Sequence, residues 1–507
     1  MHPALTRLLP VLLMLAGCAS APPPVTAFRE ADTLAILNRV TWGVNDSTLR
    51  QASSVGINRY LQTQLRPPPA QLPPAVTAQL AAMTISQQSL QEIVQAMDQR
   101  RKDFKAQADD DTKKMAQQAY QRELSRLAQE AASRSLLRAL YSPNQLEEQM
   151  TWFWLNHFSV HQGKNNLRAM VGDYEERAIR PHALGKFRDL LAATMRHPAM
   201  LQYLDNDQNA QGRINENYAR ELMELHTLGV DGGYSQRDVQ ELARVLTGLG
   251  VAKSATPPKL RRELQSQYLR QGLFEFNPAR HDYGDKTLLG AAIRATGLAE
   301  ADEAIDRLSR HPATARFISR KLATFFVADE PPPALVEDMA QAFARSDGDI
   351  ATTLETMFAA PAFAASLGSK FKDPQHYALS AVRLAWDTTP VRNTAPLLSW
   401  LNRMGQPLYG RQTPDGYQMT QAAWASSGQM TTRFDIARTI GGGNAGLFKA
   451  DGAPAQPKPG YPALAERQTV KALQAALAAG TRQALQQAAT PQEWNSYLLS
   501  APEMMYR

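Results

Sequence analysis

Residues 215–250 read NENYARELMELHTLGVDGGYSQRDVQELARVLTGLG, and this stretch predicts a helix, a tight turn and a second helix. Its first part contains no Gly or Pro as far as Thr227, and good helix formers dominate it. An apolar stripe at helical spacing runs through Tyr218, Leu222 and Leu225 and must face a core. Three closely spaced glycines then mark the turn. The stretch therefore indicates a protein built by packing helices.

The polar side chains of this stretch gather on a neighbouring face of its first helix. Because residues three and four apart lie side by side on a helix, Arg220, Glu221 and Glu224 are neighbours. His226 follows shortly after them. Two adjacent carboxyl groups can work as a general acid and base. The alternative is a structural face on which Arg220 pairs with Glu224, and the sequence leaves both open.

The rest of the chain repeats the helical pattern. Only Phe274 and Phe276 alternate as in a short strand. Residues 86–141 are polar and free of Gly and Pro, and they carry opposite charges at helical spacing. They predict two long antiparallel helices that protrude from the body, either as a partner-docking arm or as a solvated flank. We predict a mainly α, large multi-helix globular domain over residues 28–440, with few short strands, followed by C-terminal helices at 441–507.

The composition is that of an ordinary globular protein. Of the 507 residues, 44% are hydrophobic and 20% are charged, which is enough to bury a large core. The net charge of +7 is small for this length. No basic patch with interleaved aromatic residues stands out, so we do not expect nucleic acid as a partner.

The N-terminus has the features of a bacterial lipoprotein signal. A positive charge at Arg7 precedes an apolar run, and the segment ends in LAGC at Cys18. This resembles a lipobox, which predicts a signal peptide over residues 1–17, fatty acyl chains such as palmitate on Cys18, and a Pro-rich tether over 18–27. The residue after the cysteine is not Asp, which by resemblance to Gram-negative lipoproteins indicates the outer membrane, facing the periplasm. Cys18 is the only cysteine, so no disulfide forms within the chain.

Familiar catalytic motifs are missing, but histidines are suggestive. The chain has no G-x-S-x-G elbow, P-loop, H-E-x-x-H or Rossmann fingerprint. His157 and His161 are four apart on a predicted helix, so together they can chelate a divalent metal, with Glu221 or Glu224 completing the donor set. A buried structural histidine is the common alternative, and an axial haem ligand is a less frequent one.

A second polar constellation lies in the loop PARHDYGDKTLLG, residues 278–290. Asp282 next to an imidazole can fix its tautomer, and His281 would then serve as a general base at neutral pH. Lys286 follows in the same loop. The alternative is a structured loop held by hydrogen bonds from side chains to the backbone.

Several segments resemble one bacterial family, known as domain of unknown function 1800. They are WFWLNHFSV (152–160), the opening stretch, HDYGDKTLLG (281–290), HPATARFISRKLATFFV (311–327) and MGQPLYGRQTPDGY (404–417). The resemblance covers roughly residues 28–440. It implies an exported or envelope-associated, mainly helical protein with no settled reaction. Such proteins are often encoded beside members of domain of unknown function 1501, which look like alkaline-phosphatase or sulfatase-type enzymes and are thus a candidate partner.

The resemblance also transfers individual positions. The family pattern maps onto Asn156, His157, Asn217, Tyr218, Arg220, Glu221, Glu224, His226, His281, Asp282 and Lys286. His161 has no place in that pattern, and Arg411 stands where a tryptophan is expected.

Two functions are compatible with these residues. In the first, an envelope enzyme has a site where His157, His226, Glu221, Glu224 and the His281 loop meet to bind a metal or move protons, and where Arg220 and Lys286 hold an anionic group. In the second, a lipid-anchored scaffold docks a partner enzyme through residues 86–141, and the polar residues only join helices. Convergence of these side chains in space favours the enzyme, and local pairing favours the scaffold.

Overall fold

The computed structural model describes residues 28–29, 32–252, 254, 256–449 and 459–507. The predicted signal peptide, Cys18 and the tether lie outside the described residues. Within the described ranges, helices account for most of the chain, and the strands are short, which confirms the mainly α fold class. No helix among these residues has both the length and the apolar character needed to cross a membrane.

The N-terminal part of the described chain forms helices α1–α13. They are α1 (Thr33–Val40), α2 (Asp46–Val55), α3 (Ile57–Leu65), α4 (Pro74–Ala81), α5 (Thr84–Gln87), α6 (Leu90–Lys105), α7 (Asp110–Tyr141), α8 (Gln145–His157), α9 (Val171–Asp173), α10 (Phe187–Arg196), α11 (Pro198–Tyr203), α12 (Asn217–Glu224) and α13 (Gln236–Val245). A π-helix at Tyr174–Ile179 follows α9 directly.

The C-terminal part adds helices α14–α24. They are α14 (Leu298–Ser309), α15 (Pro312–Phe326), α16 (Pro333–Arg345), α17 (Ile350–Ala359), α18 (Pro361–Ala365), α19 (Pro374–Trp386), α20 (Ala395–Arg403), α21 (Ser427–Gly441), α22 (Gln468–Gln474), α23 (Ala479–Gln487) and α24 (Pro491–Ser500).

Two small antiparallel sheets lie between α13 and α14. The first joins β1 (Leu249–Val251), β2 (Leu269–Gln271) and β3 (Phe274–Phe276) in the order β1-β3-β2, and the second joins β4 (Thr287–Leu288) to β5 (Ala291–Ala292). The alternating phenylalanines of β3 are both buried, so the predicted strand is confirmed.

Helices α6 and α7 form the predicted long antiparallel hairpin. Asp109 accepts a hydrogen bond from the backbone N–H of Thr112 and so caps α7 immediately after the turn. The distal half of the hairpin is largely exposed, whereas Leu136 and Leu140 near the end of α7 are buried in the core. The hairpin therefore has a solvated tip and an anchored base.

Helix α19 lies at the centre of the fold. Each of its residues is buried, including polar ones such as Gln375 and Arg383, so it is surrounded by other elements on all sides. The Tyr377 hydroxyl donates to the backbone oxygen of Arg433, which ties α19 to α21. The closing helix α24 packs against α21, and its Leu498 and Leu499 are buried in the same core.

Candidate functional site

Helix α12 carries two carboxyl groups that are partly exposed. Its apolar stripe buries Tyr218 and Leu222, and the same helical spacing leaves Glu221 and Glu224 partly exposed. Neither carboxylate takes part in a hydrogen bond or ion pair with any other described residue. Burial, followed by the charges of Glu224 and Asp415, raises the pKa of Glu221. The surroundings of Glu221 thus favour the protonated form of its carboxyl group.

Arg220 does not form the pair with Glu224 that the sequence suggested as an alternative. Its guanidinium lies 3.0 Å from the carboxylate of Glu216, one turn earlier, and donates to Gln236 at 2.9 Å. Arg220 thereby joins α12 to the start of α13. A role in holding an anionic substrate group loses support, because this guanidinium already has two partners.

Asp415 approaches α12 from the loop formed by residues 405–417. The Arg411 guanidinium donates to both carboxylate oxygens of Asp415, at 3.0 and 2.7 Å, and the Thr413 hydroxyl donates as well. Burial alone would raise the pKa of Asp415, but these hydrogen bonds outweigh it and lower the pKa. Asp415 therefore favours the ionised form, whereas the pKa of Glu221 is shifted upward.

The loop is held in place by the end of α8. The amide of Asn156 donates to the backbone oxygen of Tyr417 at 2.9 Å and accepts from its backbone nitrogen at 2.6 Å. Gly416, which precedes Tyr417, has φ +76°, and a Cβ atom there would lie 2.1 Å from the backbone oxygen of Asn156. Only glycine fits this position, since the conformation and the contact both exclude a side chain.

Behind the carboxyl groups lies a buried layer with two imidazoles. Helix α8 ends at His157, so the predicted i, i+4 pair with His161 on one helical face is wrong. His157 instead donates from Nε2 to the backbone oxygen of His226 at 3.0 Å, and the two ring centroids are 6.0 Å apart. Nδ1 of His157 and both ring nitrogens of His226 are buried without a hydrogen-bond partner. Aromatic side chains surround them, with Phe158 5.0 Å from the His226 ring.

Lys321 from α15 completes this layer. Its Nζ lies 5.4 Å from the ring centroid of Phe317, and no described carboxylate forms an ion pair with it. Burial lowers the pKa of Lys321 to about 8, although the charge of Asp415 opposes the shift. Burial, together with the positive charge of Lys321, lowers the pKa of His226 to about 3 and that of His157 well below its usual value. Both imidazoles are therefore neutral at physiological pH.

The donor set fits a metal poorly. One ring nitrogen of His157 is occupied by the carbonyl of His226, and the positive charge of Lys321 acts on both imidazoles. Among residues 28–29, 32–252, 254, 256–449 and 459–507, no group of three or more His, Cys, Asp or Glu side chains is placed to hold a metal ion. A zinc site takes three or four protein ligands.

A small cavity lies between the end of α8 and the 405–417 loop. It has a volume of about 30 Å³, room for one or two water molecules, and its walls include Trp152, Asn156, Ser159, Gln375, Gln406, Arg411 and Tyr417. Gln406 accepts from the backbone nitrogen of Gln375 at 2.9 Å, and both residues are only 1% exposed. Oε1 of Gln375 and Nε2 of Gln406 are nevertheless unpartnered. The residues that line the cavity thus include one acceptor and one donor that have no partner among the described residues.

The decisive comparison is with models of protein families. The model described as "Protein of unknown function (DUF1800)" matches residues 35–506. The chain belongs to the DUF1800 family. No curated protein and no solved structure matches it. The match runs past residue 440, where the resemblance seen in the sequence ends, so α21–α24 belong to the family domain as well.

The His281 loop of this DUF1800 protein forms a separate polar cluster. His281 faces the carboxylate of Glu300 with Nε2 at 3.0 Å and the backbone oxygen of Thr247 with Nδ1 at 2.8 Å. Lys286 Nζ lies 2.7 Å from the other oxygen of Glu300. Asp282 pairs with Arg244 at 2.9 Å instead of orienting the imidazole. The partner of His281 is therefore Glu300, not the adjacent Asp282 that the sequence suggested.

In this cluster the charged groups pair with one another: Glu300 with Lys286, and Asp282 with Arg244. Burial would raise the pKa of Glu300, but hydrogen bonds from His281 and Lys286 lower it, and the Arg244 guanidinium lowers the pKa of Asp282. Within the described ranges, no hydrogen bond, ion pair or ring contact joins these residues to His157, Glu221 or Glu224. Among the described residues, the expected meeting of all three segments in one site is thus replaced by two separate polar clusters.

The sequence alone missed several residues of the α12 site. Asp415, Lys321, Gln375 and Gln406 come from segments far from α12 in the chain, and none belongs to a spacing pattern. The segments HPATARFISRKLATFFV and MGQPLYGRQTPDGY, which carry the family resemblance, contain three of the four. Polar residues within such segments were the available signal.

Proposed function

We propose that this DUF1800 protein is an acid/base enzyme of the bacterial cell envelope, with its site between α8, α12, α15 and the 405–417 loop. One observation carries the proposal. Glu221 and Asp415 interact electrostatically, and their pKa values are displaced in opposite directions, upward for Glu221 and downward for Asp415. When the environments of two carboxyl groups shift their pKa values in opposite directions, the group with the raised pKa can act as the acid and the other as the base.

The proposed roles follow from the partners of each group. Glu221 is the general acid, because its environment raises the pKa of its carboxyl group and that group has no competing hydrogen bond from a described residue. Asp415 is the ionised partner, held in place by Arg411, and accepts a proton from water or stabilises positive charge. Lys321, which has no carboxylate ion pair, lies behind them and supplies positive charge where a leaving oxygen becomes negative.

The substrate is expected to present an uncharged, hydrogen-bonding group. The cavity at the 405–417 loop is lined by Gln375, whose Oε1 is an acceptor, and by Gln406, whose Nε2 is a donor, and neither atom has a partner among the described residues. The one guanidinium that lines it, from Arg411, is already neutralised by Asp415. A hydroxyl or an amide group matches such a donor–acceptor pair. The proposed reaction is therefore hydrolysis within an uncharged envelope polymer, in which the substrate places one polar group in this cavity.

The metal-dependent version of an enzyme receives less support. The two imidazoles meet, but no third protein donor joins them within the part of the chain that the structure describes. The acid/base version uses groups that are unpartnered and electrostatically coupled.

The test compares the full chain with its Glu221→Gln variant on neutral polysaccharides, with products separated by chromatography and identified by mass spectrometry. Loss of a general acid reduces the rate by about 10² to 10⁴. Glu224→Gln is the matched control from the same helix, and it should retain most of the rate. It should also shift the descending limb of the pH–rate profile to lower pH, because one negative charge next to Glu221 is gone. Equal rates for the wild type and Glu221→Gln would reject the proposed acid.

A second function, partner docking, is favoured by the solvated tip of the α6–α7 hairpin. Met115 near this tip is 62% exposed, although Met is a residue that is usually buried. We propose that the tip binds a phosphatase- or sulfatase-like partner of the domain of unknown function 1501 type. Met115→Lys should weaken co-purification of the two proteins when they are produced together, whereas Val55→Lys, at a position on α2 that is 51% exposed, should not. Unchanged recovery with Met115→Lys would count against docking at the tip.

A further inference from the structure

A second cavity lies on the opposite flank of α19 and contains a buried lysine. It has a volume of about 60 Å³, and aliphatic side chains dominate its walls: Val44, Leu384, Leu473, Ala476, Leu477 and Met504. Lys372 lines it together with Asn38, Ser380 and Glu503. The lysine is only 2% exposed, so its amine is available mainly through this cavity.

The amine of Lys372 has one hydrogen-bond partner among the described residues and no counter-ion. Nζ donates to the Ser380 hydroxyl at 3.1 Å, and no carboxylate lies within ion-pair distance. The Glu503 carboxylate on the cavity wall accepts instead from the backbone nitrogen of Ala478 and from the hydroxyl of Thr481. A buried lysine without a carboxylate is unusual, because burial of a lone ammonium is costly.

The charges around this lysine also disfavour its protonation. Arg433 from α21 donates to the backbone oxygen of Lys372, and Arg507 is the other cation that acts on it. The adjacent Asp373 is engaged by His376, at 3.0 Å. Burial first, and then the two guanidinium groups, lower the pKa of Lys372 to about 7. At neutral pH about half of the Lys372 side chains therefore carry a free amine.

We propose that Lys372 is a nucleophilic amine that forms an imine with a small aliphatic aldehyde or ketone bound in this cavity. A lysine that is desolvated in an apolar pocket and placed beside other cations is the arrangement that activates this side chain as a nucleophile. The aliphatic walls suit an alkyl chain. The Glu503 carboxylate on the wall disfavours an anion, so an uncharged carbonyl compound fits better.

The chemistry needs no co-reactant. The lone pair of the neutral Nζ attacks the carbonyl carbon, and the carbonyl oxygen takes up a proton to give a carbinolamine. Nζ then loses its remaining hydrogen as the C–O bond breaks, so that one water leaves and a C=N bond forms. Ser380, which lies 3.1 Å from Nζ, is placed to pass the proton between nitrogen and oxygen. Lysine and carbonyl compound thus give imine and water.

This site does not depend on the proposed hydrolase. None of its wall residues belongs to the α12 site or to the cavity at the 405–417 loop. Loss of activity in Glu221→Gln leaves the lysine proposal untouched, and a failure of imine formation leaves the hydrolase proposal untouched.

Reductive trapping tests the proposal. The full chain is incubated at pH 7 with propanal and cyanoborohydride, and alkylated lysines are located by peptide mapping. Lys372 should gain a propyl group roughly tenfold faster than the exposed Lys471 on α22, because at pH 7 only a small fraction of an ordinary lysine is neutral. Labelling of Lys372 should fall below pH 7, as the amine becomes protonated.

Two variants control for access and for folding. Ala476→Trp fills the exposed edge of the cavity without touching the lysine and should abolish the preference for Lys372, whereas the neighbouring exposed Ala475→Trp should retain it. Lys372→Met should remove the fast-reacting site. Labelling of Lys372 that is no faster than that of Lys471, or that Ala476→Trp leaves unchanged, would overturn the proposal.

Discussion

The side-chain amide of Asn156 holds both backbone groups of Tyr417, with a donor contact of 2.9 Å and an acceptor contact of 2.6 Å. This pairing brings a loop from late in the chain to the end of α8. It thereby places Asp415 next to the carboxyl groups of α12. Asn156 is one of the family positions, and in this structure it positions the loop.

Replacement of Gly416 by Ala should disrupt this arrangement. Gly405 offers a matched control, because both glycines have φ +76° but a Cβ atom at Gly405 meets nothing within 4 Å. Gly405→Ala should cost about 1 kcal/mol from the left-handed conformation alone. Gly416→Ala should cost at least about 2 kcal/mol more, because its Cβ would collide with the backbone of Asn156. Chemical denaturation of both variants measures the difference. Equal losses would show that the contact with Asn156 is not rigid.

Acid should destabilise the protein through its buried imidazoles. The pKa of His226 is about 3 in the folded state against 6.5 for an ordinary histidine, so the unfolded chain binds a proton that the folded chain refuses. The stability of the folded state is therefore lost as the pH falls from about 6.5 towards 3. Between pH 8 and pH 5, His226 alone should lower the free energy of unfolding by about 2 kcal/mol.

His226→Phe tests this origin of the acid sensitivity. Phe keeps the ring in its aromatic surroundings, and neither nitrogen that it removes has a hydrogen-bond partner. The variant should lose about 2 kcal/mol less than the wild type between pH 8 and pH 5, as measured by urea unfolding at each pH. The partly exposed His182 provides the control. His182→Phe should change the loss of stability between pH 8 and pH 5 far less. Identical acid sensitivity in the wild type and His226→Phe would contradict the prediction.

Glu300 should be a structural residue and not a catalytic one. It is the shared carboxylate of His281 and Lys286, and Glu300→Gln should cost about 3–5 kcal/mol, because the substitution leaves a buried lysine unpaired. Glu303→Gln on the same helix should cost only about 1 kcal/mol, since its partners are partly solvated. The pKa of Glu300 is lowered on folding, so the wild type should lose this contribution as the pH falls below 4.5. A Glu300→Gln protein with undiminished stability would show that the cluster is dispensable.

The lipid anchor remains a prediction from the sequence. Cys18→Ser should abolish incorporation of an alkyne-labelled palmitate analogue and release the protein from the membrane fraction of Gram-negative cells, because the predicted lipid anchor is attached at Cys18. Fractionation with detergent extraction measures the second effect. Equal labelling of both proteins would place the acyl chain elsewhere or exclude it.

The sequence by itself determined the local structure. Helical spacing, caps and turn residues act over a few positions, and for that reason the helices around residues 215–250, the hairpin at 86–141 and the strand at Phe274–Phe276 could be predicted. The capping box from Ser235 to Asp238 is one example, since a hydroxyl and a carboxylate three residues apart satisfy the first backbone donors of α13. The family resemblance also selected Asn156, His157, Glu221 and His226, all of which lie at the α12 site.

Only the tertiary structure decided which of these polar groups meet. His281 and Glu221 look equally suitable in the sequence, yet His281 is paired with Glu300, while the Glu221 carboxyl group has no hydrogen-bond partner in the part of the chain that the structure describes. Asp415, Lys321 and Lys372 acquire their roles from burial and from neighbours hundreds of residues away or on other helices. Burial and charge shift a pKa through space, and spacing along the chain does not encode them.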